Sequence, residues 1–487
     1  MRAISLVQKL EFEFSGNIAR NAVTLGDLDN DGCNELVIGN DEGVIAIFKG
    51  KEKIQTITGL TFVACVEIGD IRNEGKNSLV IVTADGWCHI YEVHSQEEES
   101  TSDEAEINES VDEVDGQGPS SAAATTETQS SSESTLDSDL KNTKVLKTPL
   151  VCVHIQRIPA NIKNLLLGDV DSDGQIEVVV GLTDRVIRSY RFVKNPCKTT
   201  NDFFKENAKP EEKFLGKLVA INKWECANQI GSITLHHSYN GRPSILVGQP
   251  GGTFMRIRCQ MDEGEEELNR SDGSNNGNLP GSIDYQFLGI SRMRNPNIST
   301  EILGDLKSYA SAESVGKIGE STNISPPYAL ATLDGTIMLV QDEVILWAIA
   351  VDHQVFALTK LDVTRNGSDD IVVCSWDGQT YILDQSKNSV RFHLEEPVRA
   401  FQSGWYYLNP DQPSVTALVY VTFKNTIIIY YDIPLKNLIC KKFEPDEATL
   451  SQLFVDKSRN PEQALEYVKN MDKKSKAELV SSLLYDD

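Results

Sequence analysis

Hydrophobic and polar residues alternate along this chain in short units. Apolar runs of four to six residues, such as residues 35–38, 78–82 and 371–373, are separated by turns rich in Asp, Asn and Gly. The turn signals recur about every ten residues, which is typical of sheets built from short antiparallel strands. The pattern therefore predicts an all-β protein.

One 15-residue stretch is repeated along the chain. Residues 25–39, LGDLDNDGCNELVIG, join an acidic turn to an apolar run, and residues 168–181, GDVDSDGQIEVVVG, follow the same order. Weaker copies start at Gly69 and Asp362. Short acidic side chains favour the turn, and the apolar run fits a buried strand. Repetition at this level predicts an array of equivalent sheets.

The sequence contains seven such units of about four strands each, and each unit is one blade of a propeller. The last, at 398–433, supplies three strands, whereas residues 3–14 form a strand that precedes blade one without a blade of its own. Pairing the N-terminal strand with the last blade would close the ring and remove two exposed edges. The prediction is a seven-bladed β-propeller over residues 1–440.

Two segments differ from the blades in composition. Residues 95–147 are rich in Ser, Thr, Glu and Asp, so we expect a disordered insert between strands three and four of blade two. Residues 441–487 predict two or three short helices, with a start at Asn460 and Pro461 and a capping box from Ser475 to Glu478.

Charge and cysteine content narrow the function classes. The formal net charge is −26, and residues 95–140 contain no Lys or Arg, so nucleic acid is not an expected partner. The nine cysteines form no C-x-x-C pair that would indicate a zinc or redox site. The N-terminus lacks the apolar core of a signal peptide, and no apolar run is long enough to insert directly into a membrane. We expect a cytosolic protein.

The two strongest acidic loops have the layout of a calcium cage. Carboxylates at alternate positions, a Gly for the sharp turn and a Glu four residues on are the oxygen ligands that calcium prefers. The alternative is an Asx-turn, in which the same side chains accept hydrogen bonds from nearby backbone N–H groups. The corresponding loops of blades two and six carry Arg72, Ser78 and Thr364 at ligand positions, which predicts that they have lost the cage. The candidate ligands are Asp27, Asp29, Asp31 and Glu35 in blade one, and Asp169, Asp171, Asp173 and Glu177 in blade three.

Nothing in the sequence indicates catalysis. No nucleophile elbow, phosphate loop or dinucleotide fingerprint is present. The pair His236-His237 is interpreted as solvated, and His353 near Asp362 as a hydrogen bond that orders a turn. We expect no enzyme activity and no cofactor other than calcium.

The repeated loop resembles the FG-GAP repeat of integrin alpha-chain propellers. Longer strings are more similar to the integrin alpha FG-GAP repeat-containing protein 2 family, and the similarity covers roughly residues 1–433. These strings include EFEFSG at 11–16, IPAN at 158–161, VDHQVFAL at 351–358 and WDGQTYI at 376–382.

The resemblance implies a non-enzymatic scaffold in the KICSTOR complex. Its implied partners are a kaptin-like propeller, the other KICSTOR subunits and the GATOR complex, which KICSTOR holds on the lysosomal surface to restrain TOR kinase signalling when amino acids are scarce. Membrane association would then be peripheral, through partners. Two alternatives stay open: a calcium-binding adhesion-type FG-GAP propeller, and a propeller enzyme with a site in the central channel.

Overall fold

The computed structural model describes most of the chain, in separate ranges along it. The chain divides into two compact units, Met1–Leu438 and Ile439–Asp487. The expected insert at 95–147 lies outside the described residues. The described residues are 1–93, 149–194, 216–259, 283–287, 297–308, 324–409, 413–433, 435–439, 447–455 and 460–485.

The first unit is the predicted all-β, seven-bladed propeller. Its seven sheets follow one another along the chain, and the strands that pair consecutively within each blade are antiparallel. Blade one consists of β3 (Val23–Gly26), β4 (Glu35–Gly39), β5 (Ile45–Lys49) and β6 (Glu52–Ile57), and blade two of β7 (Val63–Gly69), β8 (Ser78–Thr83), β9 (Trp87–Val93) and β10 (Leu150–Arg157). Blade three consists of β11 (Ile162–Gly168), β12 (Glu177–Leu182), β13 (Val186–Lys194) and β14 (Gly216–Glu225), and blade four of β15 (Ile233–His237), β16 (Pro243–Gln249), β17 (Thr253–Ile257) and β18 (Ile283–Phe287).

The last three blades follow the same order and include two N-terminal strands. Blade five consists of β19 (Thr300–Leu303), β20 (Tyr328–Thr332), β21 (Thr336–Gln341) and β22 (Val344–Ala350). Blade six consists of β23 (Val355–Leu361), β24 (Asp370–Ser375), β25 (Gln379–Leu383) and β26 (Ser389–His393), together with β1 (Arg2–Ala3). Blade seven consists of β27 (Val398–Tyr406), β28 (Val415–Thr422) and β29 (Thr426–Tyr431), together with β2 (Lys9–Glu13).

The second strand of each blade is buried along its whole length. Every residue of β4, β8, β12 and β24 is buried. A strand that is covered on both faces by neighbouring blades reads as a continuous apolar run, because no side chain along it meets water. This explains why the apolar runs after the acidic turns were easy to recognise in the sequence.

The N-terminus closes the ring, as predicted, but it does so as two strands. Strand β2 pairs antiparallel with β29, with Phe12 opposite Ile427. Strand β1 instead pairs parallel with β26 of blade six, and the N–H of Ile4 donates to the carbonyl of Arg391 at 2.8 Å. The prediction of one strand over 3–14 was therefore wrong, because the segment crosses between two neighbouring blades.

Two fourth strands lie far along the chain from their blades. Strand β10 pairs with β9 and places Leu150 opposite Val93, so blade two resumes where the sequence predicted. Strand β14 completes blade three by pairing with β13. The sequence did not predict β14, because GKLVAINKWE mixes polar and apolar residues and most of its side chains are exposed or half-buried.

The described residues of the second unit form three helices, α1 (Glu447–Gln452), α2 (Pro461–Asn470) and α3 (Lys473–Tyr485). Helix α2 starts at Pro461, as the sequence predicted. The predicted capping box at Ser475 is wrong: α3 starts two residues earlier, and Asp472 takes the capping position. Hydrogen bonds from Ser475 and the backbone lower the pKa of the Asp472 carboxyl. Among the described residues, no helix is long and apolar enough to cross a bilayer.

Candidate functional site: the acidic loops

Each acidic loop connects the first strand of a blade to the second. In blade one, Asp27 follows β3 and accepts hydrogen bonds from the N–H groups of Asp31 and Gly32, both at 3.0 Å. In blade three, Asp169 accepts from Ser172 at 2.7 Å and Gly174 at 2.9 Å. The first Asp of each loop therefore orders the turn, as the Asx-turn alternative requires.

The last carboxylate of each loop is buried at the start of the second strand. The side chain of Glu35 is 1% exposed and accepts from the N–H of Leu28 at 2.8 Å. Glu177 is fully buried and accepts from Val170 at 3.0 Å. Burial raises the pKa of Glu35 to about 7 and also raises the pKa of Glu177, because a desolvated carboxylate is disfavoured.

A basic side chain from the third strand lies among the remaining carboxylates of blade one. The Nζ atom of Lys49 is 2.7 Å from Asp29, 2.6 Å from Asp31 and 2.7 Å from Glu35. Burial acts to lower the pKa of Lys49, but its hydrogen bonds to these carboxylates raise it above the ordinary value. The ammonium group is therefore charged throughout the physiological range.

Blade three repeats the arrangement with an arginine. The guanidinium of Arg191 lies 2.9 Å from Asp171 and 2.7 Å from Asp173, and its Nε donates to Glu177 at 2.7 Å. Burial opposes the charge of Arg191, but hydrogen bonds to Glu177 and the charges of the two aspartates raise its pKa. Each loop thus holds a cation that belongs to the chain itself.

These contacts bear directly on the calcium hypothesis. Carboxylate oxygens of Asp27, Asp29 and Glu35 all lie within 4.8 Å of one another, as do those of Asp169, Asp171 and Glu177. The donor set suits calcium by chemistry, but a divalent ion fits between the carboxylates only if Lys49 or Arg191 leaves. Calcium binding at these loops stays a prediction, and we derive no activity from it.

Blade two carries the same kind of ion pair with its charges exchanged. Arg72, at a loop position where a cage needs an acid, is 4% exposed and donates to Glu92 on the third strand at 2.6 Å. The hydroxyl of Ser78 donates to the same carboxylate at 3.1 Å. The cation is now in the loop and the carboxylate is on the strand.

Blade six has lost the cation. Asp370 is 1% exposed and accepts from the N–H groups of Val363 at 3.1 Å and Thr364 at 3.2 Å. Asp384, the residue after the third strand, takes the position that Lys49 holds in blade one. Burial, together with the charges of Asp362 and Asp384, raises the pKa of Asp370 to about 7.

Lys49 and Arg191 were not recognised as site residues from the sequence. Each lies fourteen residues after the buried glutamate of its own loop, the spacing that also separates Ser78 from Glu92. This spacing follows from the hairpin between the second and third strands, which places Glu177 directly opposite Arg191. A basic residue at this offset was the signal that could have revealed them.

The structure corrects the interpretation of the His236-His237 pair and gives His353 a different partner. His236 is not solvated but 1% exposed, and it shares Asp305 with His237, whose Nδ1 lies 2.6 Å from the carboxylate. The two strand-end residues face a carboxylate from blade five, so they join two blades. His353 contacts Asp377 at 2.5 Å rather than Asp362.

The first strands of all seven blades line a central cavity of about 180 Å³. Its titratable lining includes Arg20, which is ion-paired with Glu301 at 2.5 Å, and Glu67. Burial raises the pKa of Glu67 to about 7. Among the described residues that line the cavity there is no histidine, cysteine or lysine.

Comparison with known proteins identifies the family. The model of the integrin-alpha FG-GAP repeat-containing protein 2 family matches residues 51–435. This chain belongs to that family. The mouse protein named KICSTOR complex protein ITFG2 is 33% identical over 90% of this chain and 87% of its own length, and the bovine protein of the same name is 32% identical over 90% and 73%.

Solved structures support the fold of this family member. The crystal structure of BBS1N in complex with ARL6DN matches with a TM-score of 0.51 at 14% identity, and the match covers 90% of this chain and all of that one. At this identity the likeness concerns the propeller alone.

Proposed function

We propose that this chain is a non-enzymatic scaffold subunit of a KICSTOR-like complex. The observation that carries the proposal is family membership, because relatives that share a third of their residues over 90% of this chain are named KICSTOR complex proteins. A propeller suits such a role, since it presents a rigid ring of loops and sheet edges to several partners.

The expected partners are a kaptin-like propeller, the other KICSTOR subunits and the GATOR complex. Through them the chain would lie peripherally on the lysosomal membrane and negatively regulate TOR kinase signalling when amino acids are scarce. Two observations favour this function over the alternatives: Lys49 and Arg191 neutralise the loops that an adhesion-type propeller would give to calcium, and Arg20 in the channel is already paired with Glu301.

The outer edge of blade five is the surface that we assign to a partner subunit. Every residue of β22 is apolar, and the side chains that point away from the blade alternate along it, with Val344 62% and Leu346 49% exposed. In the described part of the chain no strand pairs with the outer side of β22, whereas β1 covers the same edge of blade six. An apolar edge with free backbone groups favours association with another chain.

Affinity purification with mass spectrometry tests both parts of the proposal. The wild-type chain should recover the kaptin-like propeller, the other KICSTOR subunits and GATOR. The double substitution Val344→Lys and Leu346→Glu should sharply reduce recovery of at least one subunit without changing the melting temperature. Val219→Lys, at a 36% exposed apolar position on the outer strand of blade three, is the matched control and should behave as wild type.

The experiment distinguishes a failure of the proposed function from a failure of the assignment of β22. If the wild-type chain recovers no KICSTOR subunit, the proposed function is wrong. If the wild type recovers the complex and the double variant does so equally well, the complex docks elsewhere and only the assignment of β22 is wrong.

A further inference from the structure

The corresponding loop of blade four has a basic residue where blades one and three have Lys49 and Arg191, but neutral residues where they have carboxylates. Ile245 pairs with Ile257, so Arg258, the next residue, lies opposite Ser244, just as Lys49 follows the pair of Phe48 with Leu36 in blade one. Counting back along the loop, the positions of Asp29, Asp31 and Glu35 are held by Ser238, Asn240 and Ser244. All three replacements are neutral.

The loop keeps the left-handed glycine of the turn, although the left-handed φ of Asn30 has no counterpart at Tyr239. Gly241 has φ +77°, close to the +84° of Gly32 at the corresponding position. The N–H of Ser238 donates to the carbonyl of Arg242 at 2.9 Å, and the N–H of Arg242 donates to the side chain of Asn240 at 3.2 Å. Blade four therefore presents a preformed loop around a basic centre.

Three arginines meet at a cavity of about 190 Å³ beside this loop. Arg242, Arg256 and Arg258 line it together with the loop, and none of the described lining residues is acidic. Arg242 and Arg258 also interact with other groups of the chain. The described lining therefore carries three guanidinium groups and no carboxylate, in a chain with a formal net charge of −26.

Arg256 is the group that points to a ligand. Its side chain is only 8% exposed, and its Nε has no hydrogen-bond partner in the described structure. The guanidinium centre lies over the Tyr328 ring, 5.9 Å from its centroid. A buried N–H of a charged group without an acceptor is costly, and an anion in the cavity that accepts from Nε would remove that cost.

We propose that the blade-four pocket binds a phosphate group carried by a phosphorylated side chain of a partner protein. The planar fork of an arginine donates two parallel hydrogen bonds to phosphate oxygens, and several arginines together compensate the two negative charges of a phosphate monoester. The strongly acidic character of the whole chain disfavours approach to an anionic lipid surface, so a protein-borne phosphate is the source that the charges favour. This inference is independent of complex membership.

Titration of the full-length chain tests the pocket. Inorganic phosphate, a phosphoserine peptide and its unphosphorylated form are compared by calorimetry, and vesicles with and without phosphoinositide by sedimentation. We expect binding of phosphate and of the phosphopeptide alone. Arg258→Met should weaken binding about tenfold, the effect of one lost charge-assisted contact.

Ser244→Glu provides the sharper variant. It places a carboxylate opposite Arg258, as Glu35 lies opposite Lys49 in blade one, and should abolish phosphate binding while the melting temperature is unchanged or raised. Arg365→Met is the matched control and should bind as wild type. Arg365 lies in the loop of blade six, is half exposed and is paired with Asp432.

Three outcomes would overturn the proposal. They are the absence of phosphate binding by the folded wild-type chain, equal binding by Ser244→Glu, and binding to phosphoinositide vesicles without binding to the phosphopeptide. The last outcome would identify a lipid headgroup as the ligand instead.

Discussion

The guanidinium of Arg72 donates to the carboxylate of Glu92 at 2.6 Å, so blade two joins its loop to its third strand by an ion pair. Blades one and three make the same connection with the acid in the loop and the base on the strand. The bridge is retained while the charges change places. We infer that these loops are held by the pairing itself, and not by the sign of the charge in the loop.

The ion pair of blade one can be tested by removing its cation. Lys49→Met would leave Asp29, Asp31 and the buried Glu35 without a counter-charge, and we expect the free energy of unfolding to fall by about 3–5 kcal/mol in the presence of a chelator. Calcium should then restore part of the loss, because the freed carboxylates form a cage. Thermal denaturation with chelator and with calcium measures both effects.

The wild type and one surface variant serve as controls for that experiment. The wild-type melting temperature should be the same with chelator and with calcium, and Lys51→Met, at an exposed position two residues away, should behave as wild type. A rise in wild-type stability at micromolar free calcium, abolished by Asp29→Ala, would contradict this expectation and favour the calcium-binding alternative.

Asp370 gives blade six a distinct pH dependence. Its pKa is raised from 3.8 to about 7 in the folded state, so the folded protein binds a proton more tightly than the unfolded chain. Its contribution to stability is therefore fully present below pH 3.8 and is lost as the pH rises through about 7. Relative to Asp370→Asn, the wild type should lose about 1–4 kcal/mol across this interval.

Denaturant unfolding at several pH values between about 4 and 8 measures this difference. Glu395→Gln, which removes an exposed carboxylate between β26 and β27, serves as the control variant. A constant difference between wild type and Asp370→Asn at all pH values would show that the folded protein does not raise this pKa.

The two N-terminal strands should contribute unequally to the stability of the propeller. Deleting residues 1–14 removes both β1 and β2, including the contact of the Phe12 and Phe48 rings at 4.6 Å, and should destabilise the whole propeller. Deleting residues 1–4 removes only the short β1 and should cost much less. The melting temperatures of the two truncations test this order, and wild-type stability of the longer deletion would contradict closure by β2.

The segment between β9 and β10 should be dispensable for folding. Val93 and Leu150 pair directly, so the two strands form a hairpin whose connection needs only a few residues. Replacing residues 97–143 by a short Gly-Ser linker should leave the melting temperature nearly unchanged in thermal denaturation. A large loss of stability would show that the replaced residues contribute to the packed structure.

The sequence predicted the parts of this protein that are set by local patterns. Loop and buried strand lie next to each other in the chain, and residues 25–39 therefore carry a complete signal. The bridge from Glu35 to Lys49 depends on a hairpin register that a single loop does not display. The pairing of β1 with blade six depends on contacts almost 390 residues apart, for which Arg2 and Ala3 offer no pattern.

Because β2 closes the ring, the propeller can be completed only late in the synthesis of the chain. The partner of Lys9 is Tyr430, so the ring cannot shut until nearly the whole propeller has left the ribosome. At about 5–20 residues per second, this interval lasts roughly 20–80 s. Throughout that time Leu10 and Phe12 lack their strand partners Ile429 and Ile427, and the unfinished propeller exposes two open sheet edges to the chaperones of the cell.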